Sequence, residues 1–299
     1  MSTNVGAVAH APSNARMRKF KKSLKRYPLV YIGALIIVVM GLIAILAPWI
    51  SPHSPIETFN SGLNDQGIPV GPSRMFPLGA DGNGRDVLSR VIWGGRISLL
   101  IGLLSMIINL VVGTVLGLIA GVFGGWVDSL VMRITDTVLA FPFLLFALAL
   151  VAILGSSLWN ILLTIGILGW GVMARVVRGQ VLQVRELEYV QAARALGATE
   201  WRIMFRIVLP NVFGPVIVLS TLNVGSNILA AAGLSFLGMG IQPPTPDWGG
   251  MIQEGLTTYT YAPWELYSAG IALVITVVGF NMLGDGLRDI LDPQSMTRQ

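Results

Sequence analysis

Apolar residues in this chain come in long runs, with no sustained alternation against polar ones. Six stretches approach the ~20 apolar residues that a helix needs to cross a bilayer. They are residues 28–50, 97–122, 130–154, 158–177, 212–232 and 264–283. Backbone polar groups in hydrocarbon must be satisfied within the segment, so runs of this length predict helices. The fold class that follows is an all-α integral membrane protein with six transmembrane helices. The second run holds no charge, and the third opens on Arg133 and Asp136, three residues apart and spaced to pair. The fifth stays apolar through residues 233–240 until Gln242, Pro243 and Pro244 stop it. Gly113, Gly117 and Gly121 place a small residue at every fourth position of the second run, the spacing that lets two membrane helices approach closely.

Between the runs, two stretches have periodicity of their own. Residues 51–96 hold Pro52, Pro55, Pro69, Pro72 and Pro77 and read as a loop. At its end Val87, Leu88, Val91 and Ile92 repeat at helical spacing opposite Arg90, which predicts a short helix lying in the interface. Residues 188–210 predict two short amphipathic helices. Tyr189, Ala192, Ala193 and Leu196 share one face of the first. Gly197 suits the left-handed residue that ends it. Thr199 can cap the second, Glu200 sits in its first turn, and Trp201, Met204, Phe205 and Val208 share a face. Arg202 and Arg206 share another, and Pro210 discourages continuation. Two readings of this stretch stay open: a connector with its arginines toward lipid headgroups, or a docking element for a soluble partner.

Composition supports the membrane reading. Charged residues make up 12% of the chain, against roughly 25% in soluble domains. Cysteine is absent, which excludes disulfides, thiolate catalysis and cysteine metal sites. The net charge of +5 is concentrated in Arg16, Arg18, Lys19, Lys21, Lys22, Lys25 and Arg26, directly before the first run. That is a membrane-flanking pattern and not a nucleic-acid surface. The first run is longer than a signal-peptide core and no small-residue cleavage site follows it, so it reads as a retained anchor. Arg175, Arg178, Arg185, Arg194, Arg202 and Arg206 form a second basic cluster, four crossings further on. Both clusters therefore fall on one side, the cytoplasm, as do both termini. In the external loop Arg74, Arg85, Arg90 and Arg96 are balanced by Glu57, Asp65, Asp81 and Asp86.

Catalytic chemistry has few candidates. A phosphate-binding loop needs Gly-Lys-Ser/Thr, yet all four lysines lie between Lys19 and Lys25. The histidines are His10 and His53, too few and too isolated for a serine protease base or a paired-histidine metal site. The stretch from Gly233 through Ser235 to Gly238 is one residue too long for a nucleophile elbow. A self-sufficient channel or proton-coupled transporter would carry ionisable groups at mid-bilayer, whereas Arg133, Asp136, Arg175 and Glu265 sit near span ends. Deeper in the fifth run Ser220, Asn223 and Asn227 share one face. They read either as interhelical glue or as a neutral hydrated path for peptide amides; Asn109 in the second run carries the same two readings.

The spacing Ala192-Ala193, Gly197, Ile207, Leu209-Pro210 resembles the EAA loop of bacterial ATP-binding-cassette (ABC) importer permeases. Gln191 stands where the motif has glutamate. Residues 79–90, 233–238, 242–249 and 281–289 are similar to the dipeptide/oligopeptide/nickel branch, in the order found in its second, C-type permease. The resemblance covers residues 25–293 and implies a type I ABC importer permease fold without cofactors. It implies as partners a second permease subunit, two cytoplasmic ATP-binding subunits and an extracytoplasmic peptide-binding protein. It further implies that Tyr189, Gln191, Ala192, Ala193, Leu196, Gly197, Trp201, Leu209 and Pro210 couple to the ATPase, through a helix and hinge and not a glutamate salt bridge. The organisation expected is a basic cytoplasmic tail at 1–27, a membrane domain at 28–284 with its coupling loop at 178–211, and a cytoplasmic tail at 285–299. The substrate expected is a di- or oligopeptide, with nickel complexes or glutathione as alternatives within the branch.

Overall fold

A computed structural model of the chain describes residues 28–291. The basic tail at 1–27 and the last residues of the expected carboxy-terminal tail lie outside the described residues. Among the described residues there is no strand, only two isolated β-bridges in the loop between the first two spans. The helices are α1 (Pro28–Ile50), α2 (Val87–Phe123), α3 (Gly125–Ala140), α4 (Phe143–Leu154), α5 (Leu158–Arg185), α6 (Glu188–Ala195), α7 (Glu200–Ile203), α8 (Leu209–Phe236), α9 (Trp248–Thr258) and α10 (Trp264–Leu291). Five spans are formed by α1, α2, α5, α8 with its preceding turns, and α10.

The sixth span is broken. The third apolar run is not one helix but α3 and α4, bent by 88°. The cause is Pro142, which disfavours helical geometry at the residue before it; Phe141 accordingly sits in the extended region at φ −86°, ψ 138°. At about 18 Å, the 12 residues of α4 are too short to cross alone. Packing shows that the pair makes a single crossing. Gly113, Gly117 and Gly121 of α2 face Met173, Ala174/Val177 and Val181 of α5, so both helices run in the same direction and the chain between them must return once. On its way α3 pairs Asp128 with Arg178 and Asp136 with Arg175, descending α5 in number as it rises. The expected Arg133–Asp136 pair is therefore not made: Asp136 turns to Arg175 at 2.7 Å across the helix interface.

Two further expectations are corrected. The short interfacial helix before the second span does not exist as a separate element. Its residues form the first turns of α2, a continuous helix of 37 residues, about 55 Å. Asp86 caps it by accepting from the Ser89 amide, and Arg90 is buried, not turned to headgroups. Nor does Pro210 end the second short helix of the 188–210 stretch. Helical structure runs from α7 through a π-turn (Met204–Val208) into α8. Proline removes one amide and its ring presses on the preceding turn; widening that turn to an i→i+5 bond, Leu209 N–H to Met204 O, absorbs both effects. The Asn211 side-chain amide then donates to the Ile207 carbonyl at 2.7 Å.

The remaining crossings pack antiparallel. Gly33 of α1 abuts the α10 backbone at Gly279 and Leu283, and Gly225 of α8 meets Val277 and Phe280. Much of α1 is exposed, including Leu35 and Ile45, as suits a helix against lipid. Two ends of the bundle have their own cores. At one, Val87, Leu99, Ile228, Trp248 and Met251 pack together; at the other, Val122, Val181, Val190, Ile203, Met204 and Val208 do. The helix α9, between the fifth and sixth apolar runs, belongs to the first.

Candidate functional site

The second core builds the candidate coupling site. Helix α6 is tethered by one fully buried side chain, Val190, and leaves Tyr189, Ala192 and Leu196 on its outer face; Leu196 is 89% exposed. The helix ends as the sequence predicts. Gly197 has φ +84°, its amide bonds to the Arg194 carbonyl, and the Ala198 amide reaches back to the Ala193 carbonyl at 3.1 Å. That six-residue closure is the Schellman arrangement, which requires a left-handed residue where Gly197 stands. Thr199 accepts from the Arg202 amide and so caps α7. The angle between α6 and α7 is held by Arg194, which grips both oxygens of Glu200 at 2.8 and 3.1 Å. That hydrogen-bonded carboxylate pushes the Arg194 guanidinium pKa above its ordinary value, so the clamp stays charged.

The other residues named from sequence divide by position. Gln191 is turned back, its amide donating to the Arg185 carbonyl and so capping the end of α5. Trp201 is exposed, stacked on Phe205 at 6.0 Å and edge-on to Phe123 at 5.6 Å. Met204 and Val208 are buried, so the single face expected for Trp201, Met204, Phe205 and Val208 is split into an outer aromatic pair and an inner aliphatic pair. Leu209 is half-buried and Pro210 exposed, at the start of α8. Since α7, the π-turn and α8 are continuous, the Gly197 turn leads directly into the fifth span.

In the fifth span the three polar residues do not share one environment. Ser220 donates to its own helix at the Val216 carbonyl. Asn227 is buried between helices, accepting from Asn109 of α2 at 3.4 Å and donating to the Gly102 carbonyl at 3.5 Å. Asn223 is half-buried and makes no hydrogen bond among the described residues.

Sequence reasoning missed a buried ionic knot at the opposite end. Asp81 accepts from the amides of Asn83 and Arg85 through Oδ1 and from Arg85 Nε through Oδ2 at 2.6 Å. Arg85 and Arg90 each donate an Nη2 to Glu254 Oε2 at 2.8 Å. Glu265 is 1% exposed, and one carboxylate oxygen each from Asp81, Glu254 and Glu265 lies within 4.8 Å of the others. Both guanidiniums bridge Asp81 and Glu254, which ties the loop before α2, α2 itself and α9 together, with Glu265 of α10 beside them. Trp264 adds an indole donor to the Ala80 carbonyl at 2.8 Å, and Trp248 one to the Val91 carbonyl at 3.0 Å. Nearby, burial pushes Asp247 above the usual carboxylate range while it caps α9 through the amides of Gly249 and Gly250. The balance of four arginines against four acids in residues 51–96 was the available signal, and it was legible only as a zero net charge.

Comparison with known proteins agrees with this architecture. Residues 113–296 match the family described as binding-protein-dependent transport system inner membrane component. Residues 16–67 match the N-terminal transmembrane domain of oligopeptide transport permease C. The dipeptide transport system permease protein DppC of Alkalihalophilus pseudofirmus is 44% identical over 277 residues, 93% of this chain and 90% of that protein. The glutathione transport system permease protein GsiD of Escherichia coli is 40% identical over 277 residues, covering 92% and 90%. GsiD of Pectobacterium atrosepticum is 40% identical over 278 residues, covering 93% and 91%. Runs of apolar helix, a broken third span and relatives matched along nine-tenths of their length lead to one assignment: the chain belongs to the inner-membrane components of binding-protein-dependent ABC transport systems, as a multi-pass permease that works within a larger transport complex.

Proposed function

We propose that this chain is one of two permease subunits of an importer for short peptides, driven by two separate ATP-binding subunits and supplied by an extracytoplasmic binding protein. The observation that carries the coupling role is the outer face of α6, joined by the Gly197 hinge to a helix that continues into the fifth span. ATP binding on the partners shifts that hinge and biases the bundle between inward- and outward-facing states. Hydrolysis resides in the partners because every lysine of this chain lies in residues 19–25, outside any phosphate-binding motif. The basic clusters at 16–26 and 175–206 support a cytoplasmic position for both termini and the coupling loop.

The relatives named for dipeptide and glutathione transport support a peptide substrate. A permease for such molecules needs hydrogen bonds without charge selection, and the half-buried Asn223 on α8, with no partner of its own, offers them. Ser220 and Asn227 flank it on the same helix. The test is to replace Ala193, on the shallow outer face, by tryptophan and Gly197 by valine. A β-branched residue at φ +84° is strained by roughly 1–2 kcal/mol, enough to misplace α6 and too little to unfold the bundle. Both variants assemble with the second permease but lose co-purifying ATPase or uncouple hydrolysis from uptake. Wild-type association and uptake for both would mean that the loop only rests on lipid.

A further inference from the structure

Beside the hinge lies an open concavity of about 420 Å³ lined by Ala193, Leu196, Gly197, Ala198, Arg202, Arg206 and Ile207. One wall is apolar, from the exposed Leu196 and the small Ala193 and Gly197. The other carries two guanidiniums, Arg202 and Arg206, one turn apart on the helix that enters the fifth span. Neither makes an ion pair among the described residues, whereas the other arginines of this region do: Arg175 with Asp136, Arg178 with Asp128, Arg185 with Glu186 and Arg194 with Glu200. The nearby acids Glu186 and Glu200 are thus already engaged, and no acid lines the concavity. The space is large enough for two side chains and has a positive wall facing an apolar one.

Resting on the docking role proposed above, we infer that this concavity receives a segment of the ATP-binding subunit bearing a carboxylate next to an apolar side chain. The carboxylate meets Arg202 and Arg206 and the apolar group packs on Leu196. The occupant is a protein and not a lipid headgroup because the cavity opens along α6 and the Gly197 turn, the surface left outermost by the burial of Val190, and half of its wall is apolar. A phosphate headgroup would leave that half unused. Gln191 fits the same picture. The position that the family motif fills with glutamate holds a neutral amide turned inward to α5, so the electrostatic contribution of this loop is carried by arginine. The contact reads as negative on the ATPase and positive on the permease.

The experiment measures binding of the cognate ATP-binding subunits to the full permease heterodimer, in nanodiscs of neutral phosphatidylcholine and of phosphatidylcholine with phosphatidylglycerol. Salt is varied from about 0.05 to about 0.5 M. Wild type binds in neutral discs and weakens as salt rises. The double substitution R202Q/R206Q weakens binding about tenfold or more at low salt and flattens the salt dependence, since charges at an interface act through steering and screening. The double substitution R202K/R206K keeps the salt slope. Three results would overturn the inference. If the double glutamine variant binds as wild type while Gly197→Val and Ala193→Trp still abolish docking, the docking reading stands and the carboxylate assignment falls. If the loss is seen only in anionic discs, the occupant is a lipid headgroup. If every variant binds as wild type, both readings fall.

Discussion

Replacing Gly117 by valine separates close helix packing from incidental glycine use. A Cβ at this position would lie 2.6 Å from the Ala174 carbonyl oxygen and 2.8 Å from the Val177 Cβ, both on α5. The carbonyl is backbone and cannot turn aside, so α2 and α5 must move apart by about 0.8 Å to restore ordinary contact. A gap of that size forfeits a quarter to a half of the dispersion energy of each contact along the seam. Gly113 and Gly121, which sit equally close to Met173 and Val181, lose their fit as well. Overpacking of this kind costs about 1–3 kcal/mol, which lowers the melting temperature by about 2–4 °C per kcal/mol in chains of this size. Thermal unfolding followed by tryptophan fluorescence in detergent reads this directly. Gly41→Ala and Gly270→Ala, where a Cβ meets nothing within 4 Å, are the neutral controls. Gly121→Ala meets the Val181 side chain, Cγ1 at 2.6 Å and Cβ at 2.7 Å, and is rescued by Val181→Gly; Gly117→Val meets backbone and is not rescued by Val177→Ala. A Gly117→Val protein that melts with wild type, or that Val177→Ala restores, would refute the reasoning. The seam bears on the proposed coupling role because Arg185 at its end donates to the Gly121 carbonyl at 3.1 Å, directly before the 188–210 stretch.

Four other outcomes follow from the same geometry. Because the chain has no cysteine, single cysteines at Ser23 and Thr199 should be shielded from an impermeant thiol reagent in intact cells while those at Asn64 and Thr245 label; labelling at 199 from outside would overturn the topology. Asn227→Leu should lower thermal stability by about 0.6–1.7 kcal/mol through the lost bond to Asn109, whereas Asn223→Leu should leave stability intact and lower peptide uptake, and unchanged uptake would remove Asn223 from the pathway. Arg90→Ala should destabilise the end of the bundle that holds α9 by about 3–5 kcal/mol, since it strips a guanidinium from buried Asp81 and partly buried Glu254; a neutral effect in melting experiments would show the knot to be dispensable. Burial raises the folded pKa of Asp247, so its contribution to stability is full below the unfolded carboxylate value and is lost as pH rises through the folded one; Asp247→Asn should flatten that decline in melting temperature as pH rises above about 4, and an unaltered slope would assign it elsewhere.

The spans and the hinge were legible in the sequence because each rests on a local cause. An apolar run of twenty residues has one solution in hydrocarbon. Likewise Gly197 followed by Ala198 and Thr199 encodes a left-handed stop and a new cap whatever surrounds them, and the structure makes both. The glycine ladder also reads locally, although only packing shows that its partner is α5. What stayed hidden depends on partners distant in sequence. Arg85 and Arg90 find Glu254 more than 160 residues away, and nothing near either residue announces that pairing. Asp136 had an arginine three residues off and chose Arg175 instead, because α3 lies along α5.

The two prolines show the same limit from the other side. Pro142 and Pro210 carry the same local instruction, to stop or kink a helix. At Pro142 the chain obeys, bending 88°, since α4 has its own surface on α5 and α8 through Ala147, Val151, Ile165 and Leu234. At Pro210 it does not, since Met204, Val208 and Val212 are all fully packed in one core and a break would pull them out of it. A π-turn costs less than that loss, so the helix widens by one residue and continues. The consequence is functional. Had Pro210 ended the helix, the loop proposed for coupling would be joined to the fifth span by a flexible link, and movement at Gly197 would dissipate there. With the π-turn in place, one continuous helix runs from Glu200 to Phe236 directly after the Gly197 turn, so under the proposed coupling role a shift at that turn is passed to the span.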